Sequence, residues 1–177
     1  MSRLASMSPE ALRSLFSPDS DSTLIALLTI TYGYDGLTPL QIRLADNYTE
    51  RLSNLTTDDE VFYGVTSRNT EYIFLPFSLT LPQEQEDQAP SCSLELYDVT
   101  QYLTEIIREQ FEIVPRVKLE LVLSKTPNTV EVSFDDFYVT NISYNKNTVT
   151  LSLEMIDFSK EAFPQHRFVP QYFPGLF

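Results

Sequence analysis

Paired carboxylates are the side chains whose number and spacing offer chemistry in this sequence: Asp58-Asp59-Glu60, then Glu84 with Glu86 and Asp87, then Asp135-Asp136. Two carboxylates converging on one spot can ligate a hard cation such as calcium or magnesium, or serve as the acid and base of a hydrolase. Neighbouring residues of a strand project to opposite faces, so Asp135 and Asp136 converge only if the chain turns there, and a turn is predicted. No Asp-x-Asp-x-Asp-Gly loop accompanies them. Solvated charge is the simpler reading of all three groups.

Nucleophilic chemistry has less to draw on. His166 is the sole histidine and stands between Pro164 and Pro170, beside Arg167. A catalytic base needs an orienting group and a nucleophile within about 3 Å, and the order of residues supplies neither, so His166 reads as a surface or interface residue. Cys92, the single cysteine, heads a strand and reads as a buried free thiol. It excludes an intrachain disulfide and leaves a Cys/His metal centre only Cys92 and His166. With four glycines in the chain there is no G-x-G-x-x-G and no Walker-type loop. The ten tyrosines suit carbohydrate binding, but a period of two makes most of them core or sheet-face residues. No catalytic residue, metal ligand or cofactor is assigned.

A chain of 177 residues, 42% of them hydrophobic, is long enough to bury a core without staples. Twelve basic against twenty-five acidic residues leave a formal charge of −13, which repels phosphate backbones and argues against nucleic-acid recognition. Residues 1–10 lack the apolar run of a signal peptide, and the stretch Leu24 to Leu28 is too short to span a bilayer. Synthesis and folding in a cytoplasm are expected. The sequons at Asn47, Asn54 and Asn141 then carry no glycans.

The elements that must position these residues are mostly strands. Ser8-Pro9-Glu10-Ala11 opens a short helix with a serine cap, proline in the first turn and Leu12, Leu15 and Phe16 as its apolar face. From Thr23 to Tyr32 the period becomes two, with Leu24, Ala26, Leu28, Ile30 and Tyr32 on one face and a mixed Thr/Ile face opposite. Residues 38–46 pair back as a hairpin arm in which Leu40, Ile42 and Leu44 alternate with Gln41 and Arg43. Residues 47–60 form an exposed excursion. Strands at Val61 to Ser67 and Glu71 to Leu75 flank a turn at Arg68-Asn69-Thr70, and 82–90 is a surface loop and a possible boundary. Leu94 and Leu96 mark the next strand, and Asp98-Val99-Thr100-Gln101 opens an internal helix ended before Pro115. Three more strands follow, around Val117 to Leu123, Phe137 to Tyr144 and Val149 to Met155, with Asn145-Lys146-Asn147 at the last hairpin tip. Together about eight strands and two helices predict a mainly β (α+β) domain over residues 1–157, an antiparallel β-sandwich or barrel-like fold.

Residues 158–177 follow neither period. They hold five of the twelve phenylalanines and three of the eleven prolines. Aromatics of this kind each bury about 150–250 Å², so the segment reads as a docking strap lying on its own core or on a neighbouring subunit.

Several segments resemble one family. They are Ser8 to Leu12, Thr66 to Tyr72 with Pro76-Phe77, Leu94 to Val99, Leu119 to Ser124, Phe163-Pro164, Arg167-Phe168, Pro170 and the closing Phe173-Pro174-Gly175-Leu176-Phe177. The family, domain of unknown function 1833, is found among tail genes of long-tailed phages. It is similar in layout to the N-terminal part of the lambda-type minor tail protein L of the tail tip hub. The resemblance implies a non-enzymatic structural subunit at the virion tail tip, made in the bacterial host cytoplasm. Its expected partners are its own copies in a trimeric or hexameric ring, and the tube, distal tail, hub and tape measure proteins. DNA passes through such a ring without specific binding, and no membrane insertion is implied. The lambda-type protein continues into a cysteine-rich iron–sulfur domain; with one cysteine here, no cluster is expected.

On this reading Phe163, Pro164, Phe168, Pro170, Tyr172, Phe173, Pro174 and Phe177 make the assembly contacts, the prolines limiting the freedom lost on docking. Asp58, Asp59, Glu60, Glu84, Glu86, Asp87, Asp135 and Asp136 face the DNA channel, since acidic walls keep DNA from sticking. Two competitors come from other classes. A β-barrel binding module for a sugar or peptide needs a concave pocket lined by tyrosines. A carboxylate hydrolase needs Asp135→Ala and Asp136→Ala to abolish turnover without unfolding.

Overall fold

In the computed structural model of the chain, residues 7–17, 21–33, 39–53, 61–80, 91–97 and 114–155 are described. They form one helix, α1 (Pro9–Phe16), and ten strands: β1 (Leu24–Tyr32), β2 (Leu40–Ala45), β3 (Glu50–Arg51), β4 (Tyr63–Ser67), β5 (Thr70–Phe74), β6 (Phe77–Leu79), β7 (Ser91–Leu96), β8 (Arg116–Leu123), β9 (Thr126–Tyr144) and β10 (Val149–Met155). All ten belong to one open sheet, ordered β3-β4-β5-β2-β1-β8-β9-β10-β7-β6, in which only β2 and β5 run parallel. The fold is mainly β, as the apolar alternation predicts. The strands beyond those expected are β3 and β6, whose two and three residues are too short to show a period. The expected internal helix and the strap lie outside the described residues.

Strand β1 is apolar on both faces, and each face meets a different core. Ala26, Leu28, Ile30 and Tyr32 join Ile42 and Leu44 of β2, Val117, Leu119, Leu121 and Leu123 of β8, and residues of β7, β9 and β10 in the main core. This is the face predicted from the even-numbered residues of β1. The opposite face is divided. Its Ile25 and Leu27 pack with Ala45, Val122, Val130, and Val65 and Tyr72 of the β4–β5 hairpin. Each such aliphatic side chain, fully buried, contributes about 1.5–3 kcal/mol. For β4 and β5 to reach β8 and β9, the sheet folds back on itself at the two-residue parallel pairing of Leu44 with Ile73 and Ala45 with Phe74. The result is a sandwich-like second layer over half of that face.

Backbone geometry holds this layer in place. Arg68 and Asn69 have φ of 51° and 59°, the left-handed pair that closes a two-residue hairpin with the right twist. Gly64 lies so close to β5 that a Cβ there would fall 2.0 Å from the Tyr72 carbonyl oxygen. At the tip, the Ser67 hydroxyl donates to the Pro127 carbonyl at 2.6 Å and the Arg68 backbone N–H donates to Asn128 Oδ1 at 2.6 Å.

Two expectations are corrected. Asp135-Asp136 is no turn: β9 runs through both, and Val117 pairs with Phe137 while Leu119 pairs with Phe134. Three steps on β9 thus face two on β8, a bulge that returns Phe134 and Phe137 to the same core, with ring centroids 6.3 Å apart. Flanking phenylalanines that both gain from burial override the turn preference of the acids. The second correction concerns α1. Ser8 caps it as predicted, its Oγ accepting from the Ala11 N–H at 3.1 Å. However, Ala11 and Leu12 do the packing, while Leu15 and Phe16 are 46% and 77% exposed.

Candidate functional site

The half of the second face that the β4–β5 hairpin does not cover is polar. Residues of odd number on β1 and β2 and of even number on β8 share it, and cross-strand register sets them in rows. Arg43, Thr29 and Lys118 form one row; Gln41, Thr31 and Arg116 form the next. The tip of the β4–β5 hairpin overhangs their edge. Between them opens a cleft of about 300 Å³ lined by Thr29, Gln41, Arg43, Arg68, Thr70, Tyr72, Lys118 and Glu120.

Glu120 organises the cleft. Its side chain is 5% exposed and receives both terminal nitrogens of Arg68, with the Arg68 Nη1 contact at 3.0 Å. Lys118 Nζ lies 3.1 Å from Glu120 Oε1 and 3.1 Å from Asp135 Oδ1. Burial disfavours the charge on Glu120, but hydrogen bonds and the charges of Arg68 and Lys118 outweigh it and hold the carboxyl below its ordinary value. Reciprocally, the hydrogen bonds that Arg68 donates to Glu120 hold its guanidinium above the ordinary value. Burial disfavours the Lys118 ammonium, yet Asp135 and Glu120 leave it raised. Arg43 is less engaged. It donates to Gln41 Oε1 at 2.5 Å and pairs with no carboxylate among the described residues. The cleft therefore offers a guanidinium, hydroxyls and a compensated carboxylate, a set suited to holding an anionic group.

Of the residues singled out in the sequence, the structure brings Asp135 to the rim of this cleft, paired with Lys118; its carboxylate also accepts from the Ser133 hydroxyl at 3.2 Å. Asp136 follows it in β9. The acids at 58–60 and 84–87, His166 and the strap residues 158–177 lie outside the described residues. Cys92 sits in β7 with Leu94 and Leu96, 7% exposed, and burial pushes its thiol up to about 11, so it is a core residue and a poor nucleophile at neutral pH. Among the described residues no three of His, Cys, Asp and Glu are grouped as a metal site. Within the same residues, no helix is long and apolar enough to cross a membrane.

Arg43, Arg68, Lys118 and Glu120 escaped the sequence reading. A signal for three of them was present: Gln41-x-Arg43 and Arg116-x-Lys118-x-Glu120 place polar groups at a period of two opposite apolar ones. What the sequence lacked was the pairing that sets them side by side.

A second surface feature lies at the β3 end of the sheet. Tyr48 contacts Tyr63 and Phe74, with ring centroids 5.3 and 5.1 Å apart. Tyr48 and Tyr63 are 51% and 44% exposed, and Val61 and Phe62, which precede Tyr63, are exposed too; Ile73 is exposed on the other face of β5 from Phe74.

Fold and cleft together define a single-sheet β protein with basic side chains gathered in a cleft on one face. The family described as Domain of unknown function (DUF1833) matches residues 11–168, and the chain belongs to it. The matched region takes in every strand and every residue lining the cleft. No curated protein matches the chain.

Proposed function

We propose that this chain is a non-enzymatic structural component of the tail tip of a long-tailed bacteriophage. In this reading, three or six copies form a ring around the DNA channel and connect the tail tube to the receptor-binding parts. Family membership supports it, taken with the resemblance in layout, noted from the sequence, to the N-terminal part of the lambda-type tail tip hub. The observation that carries it is the aromatic cluster at the β3 end, where Tyr48 and Tyr63 stand exposed against each other beside a two-residue edge strand. Contiguous exposed aromatics next to an open sheet edge are a surface for subunit contact.

The strap aromatics supply the second contact. Removing residues 163–177 is expected to yield particles without a completed tail tip, scored by negative-stain electron microscopy, and normal infectivity would refute that role. Immunogold electron microscopy with an antibody against this chain tests the reading as a whole. Gold at one end of the tail is the expected result. Bare particles, with the antigen free in the lysate and the antibody shown to bind denatured virions no better, would favour a soluble binding module.

A further inference from the structure

The cleft concentrates positive charge on a chain that is otherwise acidic. Lysine and arginine number 12 against 25 acids, yet Arg43, Arg68, Arg116 and Lys118 meet on one half-face of the sheet. Among the described residues Glu120 and Asp135 oppose Arg68 and Lys118, and both are already engaged, Glu120 by Arg68 and Lys118 and Asp135 by Lys118. Arg43 stands over the cleft with a single side-chain bond to Gln41. The hairpin covers the apolar half of the face and stops where the cations begin. A half-face of this kind gains from an anionic partner that the described fold does not itself provide.

Charge complementarity selects among anionic partners. A polyphosphate backbone approaching a molecule of net charge −13 is repelled before it reaches a local patch. A second copy of the chain presents two carboxylates for every cation, so its most abundant charged group is the one the cleft can hold. Two such copies also repel, which makes a local pairing of opposite charge the means of fixing their register. We propose that the cleft at Arg43, Arg68 and Lys118 receives a carboxylate of a neighbouring copy of this chain. The contact is heterologous, basic face to acidic face, the type that closes into a ring. This rests on the ring reading above.

The test is the self-association of the full chain, measured by sedimentation velocity over a concentration series. Arg43→Glu is expected to weaken assembly roughly tenfold. Gln41→Glu, which removes no ion pair, is expected to weaken it in the same direction. Arg13→Glu, on α1 against the opposite face, makes the same change in net charge as Arg43→Glu and is expected to leave assembly unaltered. Circular dichroism establishes that each variant is folded. If the wild type assembles and the cleft variants assemble equally well, the cleft proposal fails and the ring reading stands. If the wild type remains a monomer both alone and in particle lysates, both fail. A labelled single-stranded oligonucleotide that binds the wild type, and is lost in Arg43→Glu with assembly unchanged, would overturn the proposal in favour of a phosphate ligand.

Discussion

At the scale of single residues, Glu120 shows how a buried carboxylate is kept charged. Its environment is hostile, and it stays ionised because one arginine and one lysine both reach it. Arg68→Ala leaves Glu120 with Lys118 alone and is expected to destabilise the protein by about 1–3 kcal/mol, measured by urea unfolding. The pH dependence has a defined sign. A carboxyl held below its ordinary value of 4.5 contributes stability that is present above that pH and is lost as the pH falls through the lower, folded value. Glu120→Gln should therefore show a shallower fall of Tm on the acid side than the wild type. An equal acid-side slope in the two proteins would refute the assignment.

At the scale of elements, the β4–β5 hairpin and α1 make contrasting demands. Gly64 is required by the approach of two backbones, so Gly64→Ala is expected to cost about 1–3 kcal/mol or more by forcing β4 away from β5. α1 is held at its start. Ser8 caps the helix, and both its backbone N–H and its hydroxyl donate to the buried Glu131, at 2.8 and 2.9 Å. Ser8→Ala is expected to cost about 1–2 kcal/mol, whereas Phe16→Ala, at a 77% exposed position, should change stability by no more than about 0.5 kcal/mol. Thermal or urea unfolding of the two variants side by side checks the contrast.

At the scale of the whole molecule, strands from both halves of the sequence share one sheet: β1 pairs with β8 and β6 with β7. Tyr32 and Cys92, one from each half, lie in its main core, and burial raises them to about 12 and about 11 from 10.0 and 9.0. Groups raised in the folded state give stability that is complete below their unfolded values and declines as the pH rises through the folded ones. Stability should thus fall between about pH 9 and 12, by on the order of 2 kcal/mol for each group. Cys92 should react with a thiol reagent at neutral pH only at the rate of unfolding, and Cys92→Ser, which removes one of the two titrations, should flatten the alkaline decline. Rapid labelling of the folded protein would contradict this account.

Local chemistry, readable residue by residue, determined most of the elements. The cap at Ser8, the apolar period of β1, β2, β8 and β10, and the turns at Arg68-Asn69 and Asn145 to Thr148 all depend on neighbours a few positions away. Tertiary structure decided where those elements meet. It turned Asp135-Asp136 into a bulge, because Phe134 and Phe137 both gain by entering the core. It left Leu15 and Phe16 in solvent, because α1 meets the sheet through Ala11 and Leu12. It also made the basic cleft, from residues as distant as Arg43 and Lys118, because only strand pairing and the folding back of β4 and β5 set their charges side by side. Periodicity assigns a residue to a face of its strand; which strands are neighbours depends on long-range burial, and that is settled only when the whole chain has folded.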